Sequence, residues 1–252
     1  MLKKGFILGG LFLFFATGNA SAYRPLGTED AGVAGKGVAQ AEVSWDYLKW
    51  DNDEVEDEQV LMLVPIYGLT ERLEISVEVP YLIHDLEDGS EEGFGDVNLV
   101  AKYLLIEEGE KNPAFAVKGV VKLDNGDYDK GLGSGDRDYS LYAVASKTIG
   151  GATIHAQFGY TWVGDEEDSN LRDITLYGLA VDYALTEPFH ILAELNGNRH
   201  PDRTAEEEDP RNALAGVTYK VSDNLTLDAA YRWGLSDSVP DWSTTVGASI
   251  TF

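Results

Sequence analysis

The chain has no cysteine among its 252 residues. That excludes a disulfide framework, a thiolate metal site, a cysteine nucleophile and a lipid-anchor cysteine. It also lacks any apolar run of about 20 residues, the length a membrane-spanning helix needs. Basic residues are scarce: 19 Lys and Arg face 44 Asp and Glu, for a formal net charge of −25. A chain this acidic repels phosphate backbones, which excludes nucleic acid as a partner. Methionine is low at 2, yet 13 Tyr, 9 Phe and 5 Trp accompany 27 Gly. Disordered acidic chains lack aromatics, so disorder is a poor reading.

The first 22 residues read as an export signal. Lys3 and Lys4 form a positive n-region, Phe6 to Ala16 an apolar core, and Ala20-Ser21-Ala22 a small-residue cleavage site. Cleavage after Ala22 removes two lysines and leaves a mature chain from Tyr23 with a net charge of −27.

The mature chain is dominated by period-two alternation, which sends successive side chains to opposite faces of a strand. Leu73, Ile75, Val77, Val79, Tyr81 and Ile83 share one face, with Glu74, Ser76 and Glu78 on the other. Ile154, Ala156, Phe158, Tyr160 and Trp162 alternate with His155, Gln157, Gly159 and Thr161. The last stretch places Trp242, Thr244, Val246, Ala248, Ile250 and Phe252 together. Such stretches predict twelve strands at 37–48, 59–68, 73–84, 95–105, 113–123, 138–148, 152–163, 172–184, 189–198, 212–220, 225–234 and 242–252. Each is about the ten residues a tilted membrane strand requires.

The connections alternate in length. Short turns fall at 68–71, 149–151, 186–188 and 222–224, with a longer one at 106–112. Polar loops fall between them at 49–58, 85–94, 124–137, 164–171, 199–211 and 235–241, and these hold 26 of the 44 acidic residues. Outer-membrane barrels place short turns in the periplasm and long loops outside. That register puts both termini on the periplasmic side. The fold expected is an all-β antiparallel transmembrane barrel of about twelve strands over 37–252, with 23–36 as a periplasmic segment or partial plug of the mouth.

A soluble sandwich also alternates, but three features favour a membrane. Aromatics cluster near strand ends on the apolar faces, and Trp45, Tyr81, Tyr103, Trp162, Tyr183, Tyr219, Trp233 and Trp242 read as an interfacial girdle. The opposite faces carry Glu42, Glu74, Glu78, Asp96, Lys102, Lys118, Lys122, Asp182, Glu194, Asp228 and Arg232, more charge than a dry sandwich core tolerates. These are the candidate lumen-facing residues, and Lys102 and Lys118 should be near neighbours across their turn. Finally, terminal Phe252 resembles the signal read by the barrel assembly machinery. Pro65 and Pro80 fall inside predicted strands, where each removes a ladder donor.

Several stretches resemble the outer-membrane family named for the MetA pathway of phenol degradation. They are YRPLGTEDA at 23–31, GLTERLE at 68–74, VPY at 79–81, GFGDVNLVAKY at 93–103 and SGDRDYSLYAVASK at 134–147. Members are mostly named as transporters, so the resemblance implies a barrel that moves small molecules, possible aromatic or hydrophobic ones included.

No enzyme motif stands out. The four histidines, His84, His155, His190 and His200, have no metal-ligand spacing, and Ser134 lacks a nucleophile elbow. DNGDYDKG at 124–131 departs from the EF-hand order, so no metal and no cofactor is expected. His84 with Asp96 at the barrel mouth gives a minor hydrolase reading. Twelve strands lie between plugged eight-strand and open sixteen-strand barrels, so a narrow channel, a closed cavity or a lumen filled by its own salt bridges all fit. The leading expectation is passive uptake of small molecules. The alternative is a structural or adhesive barrel with a filled lumen and cation-binding acidic loops. The expected partners are outer-membrane lipid and lipopolysaccharide, the assembly machinery and a small-molecule solute.

Overall fold

The computed structural model describes residues 24–50, 55–86, 89–164, 170–205 and 208–252. The predicted signal segment 1–22, its cleavage site, Tyr23 and parts of four predicted loops lie outside them. The strands are β1 (Ala39–Lys49), β2 (Val55–Gly68), β3 (Leu73–Leu86), β4 (Gly89–Phe94), β5 (Asn98–Ile106), β6 (Ala114–Lys122), β7 (Asp138–Ile149), β8 (Ala152–Trp162), β9 (Ile174–Ala184), β10 (Phe189–Asn198), β11 (Arg211–Ser222), β12 (Leu225–Gly234) and β13 (Trp242–Thr251). Among the described residues no helix is long and apolar enough to cross a membrane.

All pairings between strands are antiparallel, and β1 closes on β13 from Gln40↔Thr251 to Lys49↔Trp242. A closed sheet has no edge, so every backbone group of the wall has a ladder to join. The barrel has twelve staves, because β4 and β5 form one stave together. The lower half of β3 pairs with β5 (Leu73↔Tyr103 to Glu78↔Asn98), and its upper half pairs with β4 (Tyr81↔Phe94 to Leu86↔Gly89).

Alternation decides the faces. In β1, Gln40, Glu42, Ser44, Asp46 and Leu48 are buried inside, while Val43 and Trp45 face outward and exposed. Leu61, Leu63, Leu99, Leu141, Phe158, Leu179, Leu195 and Val246 form an exposed apolar band around the wall. On a soluble protein a patch this continuous would aggregate; on a barrel it is the lipid face. Trp45, Tyr81, Trp162, Trp233 and Trp242 sit toward the loop end of their strands, and Tyr103, Tyr183 and Tyr219 toward the turn end. At the loop end Tyr231 stacks on Trp242 with ring centroids 5.8 Å apart, and Tyr47 meets Trp242 at 5.6 Å.

The predicted loops 49–58 and 85–94 need correction. β2 starts at Val55, β3 continues to Leu86 and β4 occupies 89–94. Their polar sequence has the pattern of loops. Above the lipid band, however, strand residues need not be apolar, so hydropathy patterning loses the strands while pairing continues. The predicted strand 95–105 is interrupted instead. Gly95 to Val97 leave the ladder, and Asp96 accepts backbone N–H bonds from Gly126 and Ser134 (2.8 Å each).

Both prolines mark ladder gaps. Pro80 lies where β3 exchanges β5 for β4, and its carbonyl accepts a bond from Gly95. Pro65 pairs with Ala41 of β1 but falls in a gap of the β2–β3 pairing between Leu63↔Val79 and Ile66↔Ser76. A missing donor is tolerated where no ladder bond is required.

Candidate functional site

Among the described residues buried charged side chains converge in the lumen, many of them on the residues before β1. Residues 24–36 run through the barrel interior. Arg24, Leu26, Thr28, Glu29, Asp30, Ala31 and Ala34 are all buried. The segment meets the strands in nearly reverse chain order. Arg24 lies against β12 and β13, with Nη2 donating to Thr245 Oγ1 (2.8 Å) and Nε 3.5 Å from Asp228. The Gly27 N–H donates to Glu194 of β10 (3.0 Å), as does the Thr28 N–H. The Glu29 N–H donates to Gln157 of β8 (2.9 Å), and the Ala31 N–H to Ser146 of β7 (2.9 Å). The Ala34 N–H donates to Glu74 of β3 (2.5 Å), and Gly37 N–H to the Gly68 carbonyl at the end of β2. A segment without secondary structure has orphan amides, and here wall side chains satisfy them.

Glycine in the wall makes room for the segment. A Cβ at Gly247 would come within 2.6 Å of Arg24 Nε, and one at Gly216 within 3.1 Å of the Pro25 ring. At Gly178 it would collide with Thr28 Oγ1, and at Gly68 with the carbonyls of Ala34 and Gly35.

Ion pairs fix the centre of the segment. Lys102 and Lys118 stand directly opposite each other on β5 and β6. Two like charges facing across a ladder repel. Glu29 bridges them, with Lys102 at 3.0 Å and Lys118 at 2.6 Å. Lys102 also reaches Asp30 (3.5 Å) and Glu74 (3.0 Å), and Lys118 reaches Glu78 (3.6 Å). These groups are almost fully buried. Removing one member of such a cluster leaves uncompensated charge, at a cost of about 3–5 kcal/mol.

Of the predicted lumen residues, Glu42, Glu74, Glu78, Asp96, Lys102, Lys118, Lys122, Glu194, Asp228 and Arg232 are buried inside. Asp182 sits half-buried near the turn end, bonded to His190 Nδ1 (2.7 Å). Away from the segment, Lys122 joins Asp96 (3.6 Å) and Asp138 (2.9 Å) at the loop end, while Arg232 lies 3.9 Å from Glu194, the residue that also takes the Gly27 and Thr28 amides. His84 and Asp96 are not brought together. His84 pairs with Glu58 (3.7 Å), while Asp96 is engaged by Lys122, Gly126 and Ser134. Among the described residues no group of three His, Asp or Glu is placed to hold a metal ion.

Sequence reasoning missed Arg24, Glu29 and Asp30 as partners of the wall. One signal was available: two inward lysines predicted face to face need a shared carboxylate, and 23–36 carries two. It also missed the inner face of β2. Val60, Met62, Val64 and Ile66 are buried there, with Leu48 and Ala34 in the same cluster and Val38 and Leu82 against it. Leu61, Leu63 and Tyr67 make its outer face apolar too.

A closed antiparallel barrel with a lipid band, aromatic ends and a charged interior defines a β-barrel of the outer-membrane class. More narrowly, the chain belongs to the family described as "Putative MetA-pathway of phenol degradation", whose model matches residues 22–252. Among solved structures it is similar to an outer-membrane channel from Pseudomonas putida F1, with a TM-score of 0.69 at 17% identity over 88% of this chain and 98% of that one. It is also similar to the KdgM porin, with a TM-score of 0.58 at 11% identity over 84% of this chain and 99% of that one. The NanC porin gives 0.57 at 12% identity over 84% and 98%. At these identities the likeness establishes the fold. No curated protein sequence matches the chain.

Proposed function

We propose that this barrel takes up small hydrophobic molecules across the outer membrane by passive diffusion, with residues 24–36 as its gate. The observation that carries the reading is the inner face of β2. Four consecutive inward positions, Val60 to Ile66, are apolar, whereas the inward faces of neighbouring β1 and β3 carry mostly charged and polar groups and apolar residues elsewhere in the lumen alternate with polar ones. An outer-membrane strand needs apolar residues only toward lipid. An apolar stripe facing inward offers a neutral solute a surface that a hydrated ion avoids. Ala34 packs into this cluster with Val38 against it, so a solute advancing along β2 meets the segment, and passage requires that the segment shift.

In this reading the signal peptide is removed after Ala22, and the termini and short turns face the periplasm. The acidic loops face outward, toward lipopolysaccharide and its divalent cations. Phe252 serves the assembly machinery. The acidic mouth disfavours anionic solutes.

A filled structural barrel is the second reading, favoured by the ion pairs that occupy the lumen around Lys102, Lys118 and Lys122. The deciding experiment follows a neutral aromatic probe, one that fluoresces in phospholipid, into cells with and without the protein. Planar-bilayer conductance is measured in parallel. Uptake requires faster probe entry with the protein and little ionic current. No increase in probe entry and no single-channel steps would sink the channel and leave the structural barrel. That barrel predicts instead divalent-dependent surface binding through the acidic loops.

A further inference from the structure

Loop 124–137, between β6 and β7, carries a single aliphatic residue, Leu132, in the run DNGDYDKGLGSGDR. A polar surface loop has no need to bury it, yet Leu132 is 2% exposed, as hidden as Val60 or Ile66 on the inner face of β2. The register of the sheet shows where it goes. Val60 of β2 pairs with Leu82 of β3, and Leu82 pairs with Gly93 of β4. Residues directly opposite each other share a face, so these three form one inward row. Leu82 packs against the β2 cluster, but Gly93 has no side chain to extend the row. Leu132 fills that place: a Cβ on Gly93 would come within 2.9 Å of its Cδ1. A Cβ on Gly95 would meet Leu82 Cδ1 at 3.0 Å and the Leu132 carbonyl at 3.3 Å. The inward apolar surface of β2 therefore continues through Leu82 onto a residue supplied by the loop.

The backbone that presents Leu132 is pinned on both sides. Buried Asp96 accepts the Gly126 N–H and the Ser134 N–H, at 2.8 Å each. Asn125 stands in for a ladder partner where β4 gives way to β5. Its Nδ2 donates to the Gly95 carbonyl (3.0 Å), and its Oδ1 accepts from the Val97 N–H (2.9 Å). Asp124 and Arg137 close the neck of the loop at 3.1 Å, and Lys130 meets Glu91 of β4 at 3.2 Å. The fit beneath the tip is close, since a Cβ on Gly133 would stand 2.7 Å from Asp96 Oδ1. With the backbone so held, the side chain of Leu132 is the part that an entering solute has to displace. We propose that Leu132 is a specificity-determining residue for uptake. It closes the loop end of the β2 stripe and limits the bulk of the neutral molecules that reach it. The inference rests on uptake along β2 with entry from the loop end. It assigns selection by size to loop 124–137, whereas residues 24–36 meet the solute further on, at Ala34.

The test follows two neutral probes, N-phenylnaphthylamine and its bulkier tert-butyl derivative, into cells carrying the wild type, a variant or no barrel. Folding of each variant is checked by heat-dependent gel shift. Leu132→Ala opens the row and should raise entry of the bulky probe, relative to the slender one, about tenfold, the low end of what one methylene decides in an apolar pocket. Leu132→Phe should lower the same ratio. Asp96→Asn keeps Leu132 but gives up one of the carboxylate oxygens that hold the loop, and it should move the ratio toward the bulky probe. A residue that merely filled the interior of the loop would change the unfolding midpoint and leave the ratio alone. Faster entry with the barrel than without it, at the same ratio in the wild type and both Leu132 variants, would therefore overturn the proposal and leave uptake standing. Entry no faster than in cells without the barrel would remove the uptake reading and the proposal with it.

Discussion

β2 and β3 are neighbours of equal length, 14 residues each, and both are apolar toward lipid. Inside they differ over most of their length, with Glu58 of β2 and Leu82 of β3 the exceptions. β2 presents Val60, Met62, Val64 and Ile66, whereas β3 presents Glu74, Glu78 and His84. Glu74 and Glu78 belong to the network that holds residues 24–36, through Ala34 N–H, Lys102 and Lys118. β2 meets the segment mainly by apolar packing against Ala34. Two adjacent staves thus meet the segment differently: one wall anchors it by charge, and the other gives it a surface with few directional bonds. Charge fixes geometry because each partner needs its counterpart, while apolar contact allows sliding.

The comparison is broken most severely at the charged wall. Lys102→Met leaves Glu29, Asp30 and Glu74 without their shared cation. It should cost about 3–5 kcal/mol, read as a lower midpoint in urea unfolding of the detergent-solubilised barrel. It should also release the segment, seen as new single-channel conductance. Next in size is the glycine seat beneath Thr28. Gly178→Val should displace the segment at a cost of about 1–3 kcal/mol, raising conductance while the strand ladders, and with them the gel shift, survive. On the apolar wall, Val64→Thr keeps volume and adds a buried hydroxyl, a change of about 1 kcal/mol. Probe uptake should fall, with conductance unchanged.

The smallest effect belongs to a turn remote from both walls. Glu108, between β5 and β6, bonds Lys147 Nζ and the Thr148 N–H, each at 2.8 Å. Its bond to Lys147 above all, then those to Thr148, holds its carboxyl below the ordinary range. A lowered folded value means the contribution is complete above the unfolded pKa and disappears as pH falls through the folded one. Glu108→Ala should therefore cost at most about 1 kcal/mol at neutral pH for so exposed a pair. The difference from wild type should vanish in unfolding series at acid pH.

The contrast between β2 and β3 also explains what was legible in the sequence. β3 announces itself, since Leu73 to Ile83 alternates cleanly with Glu74, Ser76 and Glu78. Period-two patterning of that kind located the staves and most of their ends, and it put Lys102 opposite Lys118. In β2 both faces are apolar, so alternation could not say which face was inside, and the inward stripe went unread. Extensions above the lipid band, at 55–58 and 85–94, were lost because membrane burial no longer enforces a pattern there. Least legible was how the segment sits: the sequence offers 23–36 as a periplasmic segment or a partial plug, without its partners. Residues 24–36 have no periodicity, and their partners lie up to 221 positions away, as for Arg24 and Thr245. Only closure of the barrel brings those residues together.

The gate itself is tested most directly by tying it to the wall. Ala31 N–H donates to Ser146 Oγ at 2.9 Å, so cysteines at these two sites come close enough to be bridged. The chain has no cysteine of its own to interfere. In cells carrying Ala31→Cys with Ser146→Cys, uptake of the neutral probe should drop under oxidation to the level of cells without the protein. It should recover on adding reductant. Equal uptake in the oxidised and reduced states would contradict a gate that has to move.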